Sequence, residues 1–323
     1  MDTFVVVGMG SIGKRHIRNL RKLYPNSKIY AVSSSGRNDE LPECADSIIG
    51  IHEIEKYRPK FVVVASPAVY HAEHSVPLID VGIPVLIEKP ISTDLYEIEK
   101  IINSEKKYNT PVAVGYCLRF LPAFKLFREL LLDKCVGNIH NVFIEVGQYL
   151  PDWRLDKDYK DSVSVSPTLG GGALFELSHE LDYCLNLFGE IDIVSAVLRS
   201  SSEFNLDVED SADILGLNNS AVVLIHLDFL QREPFRRCRV IGVDGVLELD
   251  FIGNKITLSN NIGKKVLYSD PHLDRNVMYL NMLRDFALSI DGFEAEPVRT
   301  CEAKKVVQLI HKINQVNSST LSL

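Results

Sequence analysis

The segment FVVVGMGSIGKRHIRNLRKL, residues 4–23, decides the fold of this chain. A short β-branched run leads directly into Gly8, Gly10 and Gly13, and apolar residues at helical spacing follow. In such a strand–turn–helix unit, the first glycine permits a tight turn, the second lets a pyrophosphate approach the backbone, and the third allows close helix packing. The segment therefore predicts a dinucleotide-binding unit, with Ser11 and Ile12 at the helix N-terminus that faces the phosphates.

Four further apolar runs follow in the first third of the chain. They occupy residues 28–32, 60–66, 84–88 and 111–115, and helical patterns separate them. Continuous apolar runs are typical of strands that are buried on both faces of a parallel sheet. The alternation predicts an α/β fold whose N-terminal domain, residues 1–118, is a Rossmann domain with a doubly wound parallel sheet and an NAD(P) site.

After residue 118 the pattern changes, with a helix predicted over residues 119–134, a strand over residues 140–150 and, after an irregular stretch and a further helix, several strands in succession. Strand patterns occupy residues 191–200, 211–217, 221–230, 236–242 and 245–251. Asn218-Asn219 and Asp244-Gly245 suit tight turns between strands. Helices are predicted over residues 173–188, 274–290 and 300–315. Residues 119–323 are therefore predicted to form an α+β domain with a largely antiparallel sheet, which binds the substrate and forms oligomers.

The strand pattern at residues 221–230 is apolar on both faces. Val223, Ile225 and Leu227 share one face, while Val222 and Leu224 lie on the other. We expect the second face to form a subunit interface, in a homodimer or homotetramer.

Composition limits the classes of partner. The chain has 323 residues, a formal net charge of −8 and 46% hydrophobic residues. This charge disfavours a nucleic-acid partner, and no apolar run approaches the length of a membrane span. The six cysteines show no Cys-x-x-Cys pairing, and no Cys/His group has metal-ligand spacing. We expect a cytoplasmic protein with a small-molecule partner, no membrane contact and no metal.

The residues after the second strand bear on the choice of cofactor. An NAD enzyme usually has an acidic residue there, but this strand is followed by Ser33, Ser34 and, slightly later, Arg37. Hydroxyls and a guanidinium suit a 2′-phosphate, which favours NADP. The alternative is that Arg37 lies in a solvated loop and that either cofactor binds.

Two polar motifs lie beyond the ends of later strands, where open α/β sheets bind their ligands. Ser66-Pro67 with His71 follows one strand, and Glu88-Lys89-Pro90 follows the next. A lysine at a strand end, fixed by a following proline, can exchange a proton with a substrate hydroxyl. The alternative is a surface lysine before a turn.

Together with Gly170-Gly171-Gly172 and the later His179-Glu180-Leu181-Asp182, the order of these motifs closely resembles the Gfo/Idh/MocA family. That group includes glucose-fructose oxidoreductase and inositol dehydrogenase, and the resemblance covers essentially the whole chain. It implies hydride transfer between NAD(P) and a hydroxyl or keto carbon of a sugar or polyol. Residues 149–154 and 170–183 resemble a branch linked to cell-surface carbohydrate biosynthesis, which implies nucleotide-linked or activated sugars.

The resemblance also implies residue roles. Lys89 matches the catalytic lysine, and His179 matches a substrate ligand that can be its acid/base partner. The residues expected to contact cofactor are the glycine loop, Ser33, Ser34, Arg37, Ser66, Pro67, His71, Glu88, Lys89, Trp153 and Arg154. Those expected to contact substrate are Lys89, Arg119, Tyr159, His179 and Asp182.

The chain departs from the family pattern beside His179. Many members have an aspartate four residues before the histidine, where this chain has Phe175. Glu176 lies three residues before it, so one helix would carry both side chains on the same face. We expect Glu176 to serve as a catalytic acid and Asp182 to orient the imidazole or to bind substrate. A solvated acid is the alternative for Asp182, a surface loop for Tyr159 and simple core packing for Trp153.

Two other functions are compatible with these motifs. One is a cofactor-binding sensor or regulator without turnover, because fold does not determine function. The other is a sugar reaction through transient oxidation, in which the cofactor is regenerated.

Overall fold

The computed structural model describes residues 2–34, 40–153, 158–218 and 221–320, with the backbone alone for 318–320. It divides into two compact units. Unit 1 comprises Met1–Cys117 and Asn276–Val307, and unit 2 comprises Leu118–Arg275 and Gln308–Leu323. Residues 276–307, which the sequence prediction placed in the second domain, thus lie in unit 1.

Unit 1 contains a six-stranded sheet in the order β3-β2-β1-β4-β5-β6. Its strands are β1 (Thr3–Val7), β2 (Lys28–Val32), β3 (Ser47–Ile48), β4 (Phe61–Val64), β5 (Val85–Ile87) and β6 (Val112–Val114). Every neighbouring pair is parallel. The central strands β1 and β4 are almost wholly buried, as continuous apolar runs require. The predicted doubly wound parallel sheet is confirmed.

The helices of unit 1 cover this sheet with amphipathic faces. They are α1 (Ser11–Leu23), α2 (His71–Asp80), α3 (Leu95–Tyr108) and α7 (Val277–Ile290). The buried face of α1 presents Gly13, His16, Ile17 and Leu20, at helical spacing. Asp94 caps α3 by accepting hydrogen bonds from two backbone N–H groups of its first turn.

Unit 2 contains an eight-stranded sheet in the order β14-β13-β12-β11-β7-β10-β9-β8. The strands are β7 (Ile139–Gly147), β8 (Asp192–Arg199), β9 (Ser211–Asn218), β10 (Ala221–Asp228), β11 (Phe235–Gly242), β12 (Gly245–Asp250), β13 (Lys255–Asn260) and β14 (Gly263–Ser269). Only the pairing of β7 with β10 is parallel among these described strands. The prediction of a largely antiparallel sheet is confirmed. Gly242 pairs with Gly245 across the predicted hairpin at Asp244, whereas Asn219 lies outside the described residues.

The two faces of β10 differ in burial. Val223, Ile225 and Leu227 are buried, as predicted, while Val222 and Leu224 on the other face are half-buried. His226 lies on that outer face, with Nδ1 2.6 Å from Asp213 Oδ1 and Nε2 2.7 Å from Asp228 Oδ2. The hydrogen bond to Asp228, with that to Asp213, raises the pKa of His226 to about 9. The outer face thus mixes apolar side chains with a charged cluster.

The helices of unit 2 are α4 (Pro122–Leu132), α5 (Ala173–Glu176) and α6 (His179–Phe188), and α8 runs over Thr300–Thr320. The single helix predicted over residues 173–188 is wrong, because α5 and α6 are separate. At the break, Ser178 N–H donates to Phe175 O and Glu180 N–H donates to Leu177 O. Both bonds span three residues, so the chain tightens and the α-helical pattern ends.

Two kinds of feature are absent from the described residues. None of their helices combines the length and the apolar composition that a membrane crossing requires. They also contain no group of three or more His, Cys, Asp or Glu side chains arranged to hold a metal ion.

A buried ion pair fixes α6 on the sheet of unit 2. Arg236 on β11 donates two hydrogen bonds, each of 2.7 Å, to the carboxylate of Glu180 on α6. The Glu180 side chain is fully buried and that of Arg236 is 10% exposed. Because α6 begins at His179, this pair determines where a candidate catalytic residue lies.

We expect Arg236→Ala to destabilise the protein by about 3–5 kcal/mol, because it leaves the Glu180 carboxylate buried without its partner. The matched control is Arg237→Ala on the same strand, whose pair with Glu145 is partly exposed and contributes at most about 1 kcal/mol. Urea unfolding of both variants measures the difference. Equal losses of unfolding free energy would contradict this account of α6.

Candidate functional site

The three glycines of the first turn have different surroundings. Gly8 has φ +100°, and a Cβ built there would lie 2.5 Å from Ala65 O. A Cβ on Gly13 would lie 1.9 Å from Gly8 O. Around Gly10, in contrast, no atom of the described residues lies within 4 Å of a built Cβ. Gly8 and Gly13 therefore serve packing, whereas Gly10 leaves its side of the turn open for a ligand.

The N-terminus of α1 suits an anion. Its N-cap is Gly10, which has no side chain that could cap the helix, and the first turn contains no acidic residue. No carboxylate of this turn therefore competes for the backbone N–H groups at Ser11 and Ile12, and the helix dipole favours a phosphate there. Ser33 and Ser34 follow β2 and are half-buried, while Arg37 lies outside the described residues.

Glu88, at the carboxyl end of β5, is buried and engaged by α1. Its Oε1 lies 2.6 Å from Nε2 of the fully buried His16, and its Oε2 accepts from the backbone N–H of Lys89 at 3.1 Å. Gly115 leaves room for this carboxylate, which a Cβ there would approach to 3.0 Å. Burial raises the pKa of Glu88, but the hydrogen bond and charge of His16 outweigh it, so the pKa lies below its usual value. The buried Glu88 carboxylate thus bonds the His16 ring and the Lys89 backbone, inside the protein.

The residue after Lys89, Pro90, is contacted by His71. Nδ1 of His71 lies 2.9 Å from Pro90 O, and Nε2 lies 2.8 Å from Ser66 O. The ring is 1% exposed, and burial lowers its pKa although the two carbonyls act in the opposite direction. His71 therefore joins the loop after β4 to the loop after β5. Lys89 itself is half-buried.

The loop after β4 carries the two other candidate residues of this edge. Ser66 Oγ is 2.9 Å from Nδ1 of the buried His74, and Pro67 begins the short turn before α2. The predicted residues of this region follow the carboxyl ends of two neighbouring strands. After β4 come Ser66, Pro67 and His71, and after β5 come Glu88 and Lys89. The structure therefore brings these predicted residues of unit 1 together at one edge of the sheet.

In unit 2, the predicted substrate residues Arg119 and Asp182 form a pair. Arg119 donates from Nε and Nη2 to the Asp182 carboxylate, at 2.9 and 2.6 Å. Their side chains are 11% and 1% exposed. A bidentate pair of this kind fixes the orientation of both groups. Asp182, which lies on α6, thus fixes the position of the Arg119 guanidinium.

Glu176 and His179 flank the break between α5 and α6. Both are half-buried, Glu176 as the last residue of α5 and His179 as the first of α6. The sequence prediction placed Glu176 and His179 on one face of a single helix, but the break puts them on two separate helices. The catalytic roles of Glu176 and His179 stay predictions.

Glu209 supports the start of α5. Its Oε1 accepts from Leu174 N–H at 3.0 Å, and its backbone O accepts from Ala173 N–H at 2.9 Å. Burial raises the pKa of Glu209. A Cβ at Gly172, where φ is +105°, would lie 2.5 Å from this carboxylate. Glycine is therefore required at position 172 by the contact with Glu209 that begins α5, the helix that ends at Glu176.

Trp153 and Tyr159 line the same cavity in unit 2, which has a volume of about 120 Å³. Trp153 packs edge-on against Phe229, with ring centroids 5.2 Å apart, and Tyr159 packs against Phe204 at 5.5 Å. Arg154, the predicted companion of Trp153, lies outside the described residues. The structure brings Trp153 and Tyr159 together, although the sequence assigned them to different ligands.

Sequence reasoning missed His16 and Glu209. A signal existed for His16, since it shares the apolar face of α1 with Gly13 and Leu20, and a buried histidine needs a polar partner. Glu209 lies in an irregular loop, 35 residues after Leu174, and no local sequence pattern predicts that it would bond the start of α5.

Comparison with known proteins identifies two matching family models. Residues 3–116 match the model described as "Oxidoreductase family, NAD-binding Rossmann fold" of GFO/IDH/MocA. Residues 124–248 match the model of the GFO/IDH/MocA C-terminal domain. The first match covers all six strands of the unit 1 sheet, and the second covers the unit 2 sheet from β7 into β12.

Individual relatives are distant in sequence. An oxidoreductase of Formosa agariphila is 24% identical over 201 residues, which are 62% of each chain. A myo-inositol 2-dehydrogenase of Thermotoga maritima is 26% identical over 286 residues, 85% of this chain and 80% of the relative. Among solved structures, an inositol dehydrogenase homolog complexed with NAD⁺ from Azotobacter vinelandii superposes with a TM-score of 0.82 at 18% identity, covering 98% of this chain and 95% of that one. This structural likeness shows a shared fold.

Alanine at Gly10 and at Gly13 should give opposite results. Gly10→Ala places a methyl group on the open side of the turn, so stability should change by at most about 0.5 kcal/mol while dinucleotide affinity falls at least about 10-fold. Gly13→Ala drives a Cβ into the Gly8 carbonyl and should cost at least about 2 kcal/mol of stability. Thermal unfolding and fluorescence titration with reduced dinucleotide measure both effects. Unchanged affinity in Gly10→Ala would contradict the placement of the phosphates.

Proposed function

The chain belongs to the GFO/IDH/MocA family of NAD-binding oxidoreductases, and on that premise we propose that it transfers a hydride between a nicotinamide cofactor and a hydroxyl or keto carbon of a sugar, polyol or nucleotide-linked sugar. The observation that carries this proposal is the position of Lys89. It lies two residues after β5, between Glu88, whose buried carboxylate accepts from the Lys89 backbone N–H, and Pro90, whose carbonyl oxygen contacts His71. Such fixation suits a group that must meet one particular proton.

The residues of unit 1 fit a dinucleotide. The open side of Gly10 and the uncapped first turn of α1 suit the pyrophosphate. When bound, the nicotinamide ring supplies the hydride acceptor or donor. Lys89 accepts the substrate hydroxyl proton as the carbon is oxidised, and it returns a proton to the oxygen in the reverse reaction. Ser66 and Pro67 line the cofactor side of the same sheet edge.

Unit 2 supplies further substrate contacts in this proposal. His179 binds the substrate and is a second acid/base group, with Glu176 as the candidate acid nearby in the sequence. Arg119, whose orientation is fixed by its bidentate pair with Asp182, contacts the substrate. The inositol dehydrogenase among the relatives supports a polyhydroxylated substrate.

The cofactor preference in this proposal is NADP. It rests on Ser33, Ser34 and Arg37, which follow β2 where NAD enzymes usually carry an acid. A guanidinium binds a 2′-phosphate with two hydrogen bonds, and no carboxylate at these positions repels it.

The Lys89→Met variant tests the proposed chemistry. It should lower kcat by about 100-fold or more, because a positioned acid/base group contributes at least that much, while dinucleotide binding changes little. The matched control is Lys22→Met, an exposed lysine on α1, which should keep full activity. Titration of NADH and NADPH fluorescence on both variants and on the wild type checks binding, and the wild type should bind NADPH more tightly.

Two results would count against the proposal. If Lys89→Met retained the wild-type kcat, the lysine would not handle the proton. If the wild type bound dinucleotide but never oxidised or reduced it with any of a broad panel of sugars and nucleotide sugars, a sensor without turnover would be the better interpretation.

We also propose that the outer face of the unit 2 sheet joins two copies of the chain. Leu215 and Leu217 on β9 are 36% and 43% exposed, and they pair with Leu224 and Val222 on β10. Contiguous exposed apolar side chains of this kind mark interaction surfaces.

Light scattering of the wild type should therefore give a multiple of the 36.3 kDa chain mass. The double variant Leu215→Glu/Leu217→Glu should shift the mass toward the single chain, because it buries charge in the interface. A single-chain mass for the wild type at micromolar concentration would contradict this interface.

A further inference from the structure

His16 on α1 is a buried histidine whose ring makes a polar contact with Glu88. Its Nε2 lies 2.6 Å from Glu88 Oε1, and its side chain has no exposed surface. Nδ1 is also buried and makes no hydrogen bond among the described residues. A carboxylate oxygen only accepts, so Nε2 is the donor and carries a proton whenever Glu88 is ionised. Within the described part of the chain, the ring therefore directs its hydrogen bonding at Glu88.

Packing against α7 limits the rotation of the His16 ring. Tyr279 lies edge-on to this ring, with centroids 6.1 Å apart, and Arg15 Cζ lies 4.8 Å from the centre of the same Tyr279 ring. Burial raises the pKa of Tyr279, and its hydroxyl bonds the Cys117 side chain. Tyr279 is therefore neutral near pH 7 and adds no charge beside the pair.

The Glu88 carboxylate connects His16 to Lys89. One oxygen accepts from His16, and the other accepts from the backbone N–H of Lys89 at 3.1 Å. Burial raises the pKa of Glu88, but the His16 hydrogen bond and the charges of His16 and Lys89 together lower it. An interaction between two groups acts equally on both, so an ionised Glu88 stabilises the ammonium form of Lys89.

His71 on α2 also lies within the field of the Glu88 charge, but it does not bond the carboxylate. Its ring nitrogens contact Pro90 O at 2.9 Å and Ser66 O at 2.8 Å. Burial lowers the pKa of His71, while the charge of Glu88 acts in the opposite direction. Among the described residues, His16 is thus the one side chain that hydrogen-bonds Glu88.

Folding alone does not require a polar pair at this position. An apolar pair of similar volume is often as stable as a buried ionic pair, or more stable. An apolar pair cannot, however, hold a negative charge beside Lys89. Groups whose pKa is displaced by burial and by a specific partner concentrate at sites of chemistry, and this pair adjoins the candidate catalytic lysine.

We propose that His16 is a positioning residue for the proton transfer, and that it acts through Glu88. The His16 hydrogen bond keeps Glu88 ionised, and the Glu88 charge stabilises the ammonium that forms on Lys89. In the oxidation direction, the substrate O–H bond breaks and an N–H bond forms on Lys89 Nζ, while the hydride leaves the same carbon for the nicotinamide. Glu88 and His16 keep their own protons throughout. The inference rests on the proposed function and adds to it the group that maintains the charge beside Lys89.

Two variants remove this charge by different routes. Glu88→Gln keeps the hydrogen bonds, because a neutral His16 can accept from the amide N–H while the amide oxygen accepts from Lys89 N–H. His16→Leu removes the donor, so the buried Glu88 carboxyl group becomes protonated. In both variants the pH at which oxidation reaches half of its plateau rate should fall by about one pH unit. The plateau kcat should fall about 3- to 10-fold, since the transition state feels part of the tenfold preference that one pH unit represents.

Two further variants separate this role from a structural one. His16→Gln keeps an N–H donor for Glu88 and should retain the wild-type pH profile. Asn19→Leu is the structural control, because Asn19 is buried on the same helix and exchanges hydrogen bonds of 3.2 and 2.7 Å with Asn276. It should lower the melting temperature but leave the pH profile unchanged.

Infrared difference spectroscopy tests the His16–Glu88 step without cofactor or substrate. A protonated carboxyl group has a carbonyl stretching band that a carboxylate lacks. At pH 7, the spectrum of His16→Leu minus that of the wild type should contain this band, and the spectra of His16→Gln and Asn19→Leu should not. The double variant His16→Leu/Glu88→Gln should lose the band, which assigns it to Glu88.

The outcomes separate this inference from the proposed function. An unshifted pH profile in Glu88→Gln and His16→Leu would overturn the inference and leave the oxidoreductase function intact, and so would the absence of the carboxyl band in His16→Leu. If His16→Leu does not fold, the pH profile of Glu88→Gln decides alone. A wild type that turns over no sugar would contradict the proposed function, while the infrared band still decides whether His16 keeps Glu88 ionised.

Discussion

The contact between buried Glu88 and buried His16 is the constraint on which the candidate site depends. It joins the end of β5 to the helix that begins at the glycine turn. A buried carboxylate is costly unless it is hydrogen-bonded, so any shift of α1 relative to β5 would cost stability. The phosphate end of the proposed cofactor site and the backbone at Lys89 are therefore held in one fixed relation, and His71 at the start of α2 contacts the adjoining Pro90 carbonyl.

Buried carboxylates also fix α6 in unit 2. Glu180 and Asp182 lie on either side of Leu181, and each is buried against an arginine, Arg236 or Arg119. The two pairs hold the helix against the sheet and against the segment after β6, while His179 at its first residue stays half-buried. In both units, buried charged groups are hydrogen-bonded in a way that positions the half-buried residue next to them in the sequence, Lys89 in unit 1 and His179 in unit 2.

Local patterns in the sequence predict much of this architecture, and contacts between distant residues account for what they miss. The bounds of α1 and β2 agree with their apolar patterns because each pattern reports a buried face directly. The break at Leu177 and Ser178 was missed, since residues 173–188 keep helical spacing through it and the turn depends on tertiary context. Asp182 shares a helix with His179, yet its bond to Arg119 joins positions 63 residues apart. His16, Glu209 and the cavity at Trp153 likewise depend on the fold and could not be located from local spacing.

The central claim is that this chain moves a hydride to and from a sugar carbon. The most direct measurement uses NADPH and NADH carrying deuterium at the transferable C4 position, with keto derivatives of sugars and nucleotide-linked sugars as acceptors. Mass spectrometry of the products should find one deuterium bound to the newly reduced carbon, and Lys89→Met should abolish nearly all of it. Tight dinucleotide binding with no deuterium in any product would contradict the account.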